Sequence, residues 1–132
     1  MRITPGDFEL IKAALGSCSR GYIDIAKNHR RKLEVAKSAA ADNFARACHM
    51  TRERLAGLGA VALVRIDAEA LEVIIAAVQM TAMAAEVSGK AQEAIGLSPR
   101  RQMQTMAHCA QLIKYLELHR PPPAGEADIA IN

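Results

Sequence analysis

The stretch that decides the fold is 68-AEALEVIIAAVQMTAMAAEV-87. It is apolar nearly all the way round. Wound as a helix, it puts its polar exceptions Glu69, Glu72, Gln79 and Glu86 on one narrow line, because the last three are seven residues apart. Only Thr81 lies off that line. A helix with so little polar surface has to be covered on most sides. The expected architecture is therefore an all-α small helical bundle of four to five helices, with residues 67–87 as its buried central helix. Leu71, Ile74, Ile75, Val78 and Met83 are the expected core or oligomer seam. The run is long enough to cross a membrane. However, Glu72 and Gln79 sit well inside it and much of its apolar content is Ala, so no membrane partner is expected.

Composition supports the same picture. The 132 residues fit one domain, and half of them are hydrophobic. Aromatics make up only 3% and Trp is absent, so the core has to be built from aliphatic residues, Ala and Met. Such a core is thin per residue. It raises the expectation of a homo-oligomer, a dimer first, that shares its core between chains. The net charge of +3 is mildly basic and falls short of a nucleic-acid signature on charge alone. Three cysteines, Cys18, Cys48 and Cys109, stand in helical context and read as buried or free thiols in a reducing, cytoplasmic setting. The N-terminus MRITPGDFEL has no apolar core of a signal peptide.

Working outward from the central stretch, Asp67 is its N-cap. Thr4 and Pro5 start a first short helix over residues 4–15, which Gly16 is expected to end. A long helix follows from about Ser19 to Ala56, carried by Tyr22, Ala26, Leu33, Ala36, Ala40, Phe44, Ala47 and Leu55. Gly57 and Gly59 are the expected stop. Residues 61–66 read as an apolar connector; the alternative is a short strand paired with residues 2–4 or with the tail around residues 128–131. Beyond the central helix, Ser88-Gly89 reads as a break and residues 90–95 as a short helix. Ser98-Pro99 then starts a last helix that runs to His119-Arg120. Pro121-Pro122-Pro123 stops it. Residues 1–120 thus form one helical-bundle domain, and 121–132 a Pro-initiated flexible tail.

Three clusters bear on chemistry. The segment KAQEAIGLSPRRQMQTMAH, residues 90–108, resembles the helix-turn-helix of transcription regulators: a short helix, a Gly-Leu-Ser turn, then a helix that opens on Arg100 and Arg101. Gln92 and Gln102 stand where that motif has small or apolar residues. The resemblance implies a DNA-binding regulator. Two cations in the first turn oppose the helix dipole and point to an anion or acidic partner. Arg101 and His108 are seven apart on one helix face, and their spacing resembles the Arg/His motif of HEPN ribonucleases. That resemblance implies an all-α dimer in which the Arg steadies a phosphate and the His does acid–base work. In KNHRRKLEVAK, residues 27–37, Arg30 and Arg31 could meet phosphates, although a charge run on a helix is usually its wet face.

Cys48-His49 and His108-Cys109 are adjacent pairs that point about 100° apart on a helix, so neither chelates a metal. No P-loop, GxGxxG or GxSxG is present. The expected function is that of a non-enzymatic helical interaction or regulatory protein. It self-associates and binds a protein or nucleic acid, with Arg30, Arg31, Arg100 and Arg101 as contact residues. No cofactor, metal or small-molecule substrate is expected. The two alternatives are the DNA-binding regulator and the HEPN-like ribonuclease.

Overall fold

The computed structural model describes residues 1–56 and 62–131. Most of the chain lies in four helices, α1 (Pro5–Arg31), α2 (Val35–Ala56), α3 (Ala68–Ala94) and α4 (Arg100–Leu118). Three short strands accompany them: β1 (Arg2–Ile3), β2 (Ala62–Asp67) and β3 (Glu126–Ile131).

α1 starts where its cap residues require. The Thr4 hydroxyl accepts from the Asp7 backbone N–H at 3.0 Å, and the Asp7 carboxylate accepts from the Thr4 N–H at 3.1 Å. Its end does not fall at Gly16. α1 runs 27 residues, through Gly16 and Gly21, to Arg31. Gly16 is buried where α2 crosses. A Cβ there would lie 3.2 Å from Arg52 Nε, and that guanidinium also donates to the Lys12 carbonyl. The glycine serves a close helix approach and does not act as a stop.

The long helix expected over residues 19–56 is in fact the end of α1 and all of α2. Between them the chain turns at Leu33, which takes a left-handed φ of 59°. The Glu34 N–H reaches back to the His29 carbonyl at 2.9 Å. α1 and α2 form an antiparallel hairpin, with Ala26, Ala41, Ala45 and Cys48 buried along it. Ser38, also buried, donates to the Ala26 carbonyl at 3.1 Å.

Asp67 caps α3 by accepting from the Ala70 N–H at 2.7 Å. α3 then continues unbroken for 27 residues, so Ser88-Gly89 is no interruption and residues 90–94 belong to this same helix. Gly89 is buried against α4, where its missing side chain leaves room for Pro99 and Gln102. α4 begins one residue later than the Ser98-Pro99 signal implies, and no side chain caps it. It runs back along α3. The Arg120 guanidinium ties its far end to Glu72 at 2.6 and 3.1 Å. The two hairpins pack against each other. Cys18 of α1 meets the Ala77 carbonyl of α3, while Asp7 in the first turn of α1 reaches His108 in mid-α4.

The connector and the tail are strands. β3 is the centre of a three-stranded sheet in the order β1-β3-β2, antiparallel to β2 and parallel to β1. The tail expected to be flexible is held because alternation gives it a buried face: Ile129 and Ile131 join Val64, Ile66 and Ile3 in the core. On the outer face Arg65 stands opposite Asp128 and bonds it at 3.1 Å. The expected stop at Gly57 and Gly59 lies outside the described residues.

The central helix divides in two. Its N-terminal half supplies Ala70, Leu71, Ile74, Ile75, Ala77 and Val78, all buried. After Val78 only Gly89 of α3 is buried. The enclosure expected along the whole of residues 67–87 therefore stops halfway. Along the second half α1 still borders α3 at Met80 and Ala84, across an open apolar groove.

Candidate functional site

Leu71, Ile74, Ile75 and Val78 are at most 2% exposed and lie in the chain's own core. Met83 is different, at 58% exposed. It belongs to a stripe along the distal half of α3. Met80, Ala84, Val87, Ala91 and Ala94 recur there at alternating spacings of four and three, and all are exposed. That spacing keeps one line of a helix facing one partner, as in a coiled coil. Ala84, Ala91 and Ala94 are small enough to let another helix approach closely. No ionisable residue stands on the line. Lys90 at its edge is bonded to Glu86 of the same helix at 3.3 Å. Alongside runs an apolar groove of about 230 Å³ between α1 and α3, bordered by Tyr22, Ile25, Met80 and Ala84. The polar line read from the sequence is real: Glu72, Gln79 and Glu86 are all exposed.

The four arginines singled out as contacts are all exposed, but they are not equivalent. Arg30 is engaged: its guanidinium bonds Asp42 at 2.7 Å and Ser38 Oγ at 3.3 Å. Arg31, Arg100 and Arg101 have no ion-pair partner among the described residues. Arg100 and Arg101 open α4 in a first turn that holds no acid. The helix that precedes them is the 27-residue α3 rather than a short first helix of a helix-turn-helix.

His108 is held. Its Nε2 lies 2.7 Å from Asp7 Oδ1, while Asp7 Oδ2 accepts the Thr4 N–H. One carboxylate thus caps α1 and clasps α4. Burial pushes the Asp7 carboxyl upward, but the bonds from His108 and Thr4 outweigh it and leave its pKa below the usual carboxylate value. The cleft beside this pair, about 280 Å³, is lined by Arg2, Asp7, His108, Gln111, Leu112 and Tyr115. Tyr115 accepts the Arg2 N–H at 2.9 Å. Arg101 is not among the residues that line it.

All three cysteines are free and buried. Cys48 is pushed far up by a hydrogen bond with Cys18 and by burial, and burial alone raises Cys109. Raised in this way, the Cys48 and Cys109 thiols are poor nucleophiles and poor metal ligands as they stand. Among the described residues no three His, Cys, Asp or Glu side chains come together as metal ligands would.

The sequence reading missed the Asp7–His108 clasp, which joins residues 101 apart. It also missed the basic outer face of the α1–α2 hairpin. Here a groove of about 510 Å³ is lined by Ser19, Ile23, Arg30, Asp42, Arg46 and His49. The signal for that face was present as an imbalance. Residues 5–56 carry ten Lys and Arg against six Asp and Glu, whereas residues 62–131 carry six against eight. No protein-family description, curated protein or solved structure matches the chain.

Proposed function

We propose that this is a non-enzymatic helical interaction and regulatory protein that dimerises through the distal half of α3 and binds a macromolecular partner with its remaining surface. The observation that carries the reading is the uncharged stripe Met80–Ala84–Val87–Ala91–Ala94, exposed on a helix whose other half supplies Leu71, Ile74, Ile75 and Val78 to the core. An apolar line on the surface of a small protein marks an interaction site. A second copy fits it better than a charged partner does. The stripe offers no charge to pair with, and its four-three spacing is complementary to itself across a two-fold axis. A cytoplasmic setting is part of this reading; its support is the three unpaired thiols.

The test is light scattering at micromolar concentration. The protein is expected at twice the 14.2 kDa chain mass. Val87→Glu is expected at the single chain mass with an unchanged circular dichroism spectrum, because Val87 is 69% exposed and does not hold the fold. A monomeric parent protein, or a Val87→Glu variant that still dimerises, overturns the proposal.

A further inference from the structure

We propose that the outer face of the α1–α2 hairpin binds the phosphate backbone of a nucleic-acid duplex, without reading its bases. Of the six acids in residues 5–56, four are already engaged: Asp7 by His108, Glu9 by Lys12, Glu34 by Lys37 and His29, and Asp42 by Arg30. Asp24 and Glu53 remain. Of the ten cations, Lys12, Arg30, Lys37 and Arg54 have carboxylate partners. The six others, Arg20, Lys27, Arg31, Lys32, Arg46 and Arg52, have none among the described residues. The hairpin therefore presents an uncompensated positive field.

Part of that field lies along a groove. Arg46 and His49 line the 510 Å³ depression between the helices, with Arg30 held across it by Asp42. One turn along, at Gly16, Arg20 and Arg52 come together from the two helices, within 3.4 and 3.2 Å of where a Cβ would stand. The absent side chain is what lets two guanidinium groups share this spot.

The face is also free. Ser19, Ile23 and Arg30 follow one line of α1, while Cys18, Tyr22 and Ile25 follow another, toward α3. From Arg20 to Arg30 the groove extends about 15 Å at 1.5 Å per residue, the span of roughly four phosphates on one strand. No aromatic side chain lines it, so it offers no platform on which unpaired bases could stack. A duplex backbone fits better than a single strand.

The experiment is fluorescence anisotropy with a labelled DNA duplex of about two helical turns, titrated at several salt concentrations. With four phosphates neutralised, affinity is expected to fall about 100-fold between about 50 and 200 mM salt; for Arg20→Ala with Arg46→Ala the fall is expected to be only about tenfold. Arg20→Lys with Arg46→Lys should restore the steeper dependence, since the charges return. Val87→Glu should leave the dependence per chain unchanged, which separates this surface from the dimer seam. Four outcomes overturn the proposal: no binding at low salt, a slope unmoved by the Arg20/Arg46 pair, a slope governed instead by Arg100→Ala with Arg101→Ala, or polyglutamate competing as well as unlabelled duplex.

Discussion

The two halves of α3 both carry a continuous apolar line, and the lines have opposite fates. From Ala68 to Val78 the helix is locked into the core, with Ile74 and Val78 wholly inaccessible. From Met80 to Ala94 apolar residues still recur along one line, yet Met83 and Val87 are 58% and 69% exposed. The difference lies in what the rest of the chain brings. The sheet, α1 and α2 meet the first half, whereas the second packs on α4 at Gly89 and only borders α1 across the groove at Met80 and Ala84. Periodicity shows which residues share a line; it does not show whether the chain itself supplies a cover for that line. A second chain is the cover we propose for the distal line.

The comparison can be broken most severely at its buried end. Ile74→Glu places an unpaired carboxylate in the core and is expected to cost more than about 4 kcal/mol, enough to unfold the protein in a thermal melt. Gln79→Glu, on the exposed polar line, should melt with the parent protein. If the two melt alike, the division of α3 is wrong. Cys18 sharpens the same point. Its thiol donates to the Ala77 carbonyl, so alkylation of Cys18 should report opening of the proximal half. Labelling is expected to be slow in native buffer and complete in denaturant. Fast native labelling would show that the proximal half is not closed.

A smaller effect is expected at Asp7, where one carboxylate caps α1 and clasps α4. Asp7→Ala should cost about 1–2 kcal/mol in a denaturant titration. The sign with pH follows from its lowered pKa. The stabilisation is complete above the ordinary carboxylate range and is lost as pH falls through that range toward the folded value. The parent protein should therefore lose stability over that interval more steeply than Asp7→Ala, and parallel acid limbs would contradict this. The smallest effect is at the far end of the first hairpin. Leu33 is 86% exposed and has φ at 59°. Leu33→Gly should stabilise by about 0.5–1 kcal/mol, because the left-handed conformation strains a side chain and the side chain contributes no packing. A loss of stability on this change would mean that Leu33 is itself a contact.

Much of this was legible in the sequence. The Thr4-Pro5 and Asp67 starts, the Pro121 stop and the line of Glu72, Gln79 and Glu86 are local signals, and each is where it was expected. The errors have physical reasons. Gly16 and Gly89 read as breaks because glycine usually ends a helix, yet both are places where another helix comes close. The turn at Leu33 carries neither Gly nor Pro and so left no mark. The sheet joins residues 2, 65 and 128, a pairing that the sequence offered only as the alternative to an apolar connector, because no local window holds it. For the candidate sites, Arg30 and Arg31 lie on the same hairpin as Arg20, Arg46 and Arg52. The last three escaped notice because only folding brings Arg46 to the groove and Arg20 beside Arg52.

The most direct test of the central claim is a cross-link at Val87. It lies at the middle of the exposed stripe, and all three native thiols are buried. Under mild oxidation Val87→Cys is expected to give a covalent species at twice the 14.2 kDa chain mass, while Gln79→Cys on the polar line stays a single chain. Equal cross-linking at both positions, or none at Val87→Cys, would contradict the account of α3 as half core and half seam.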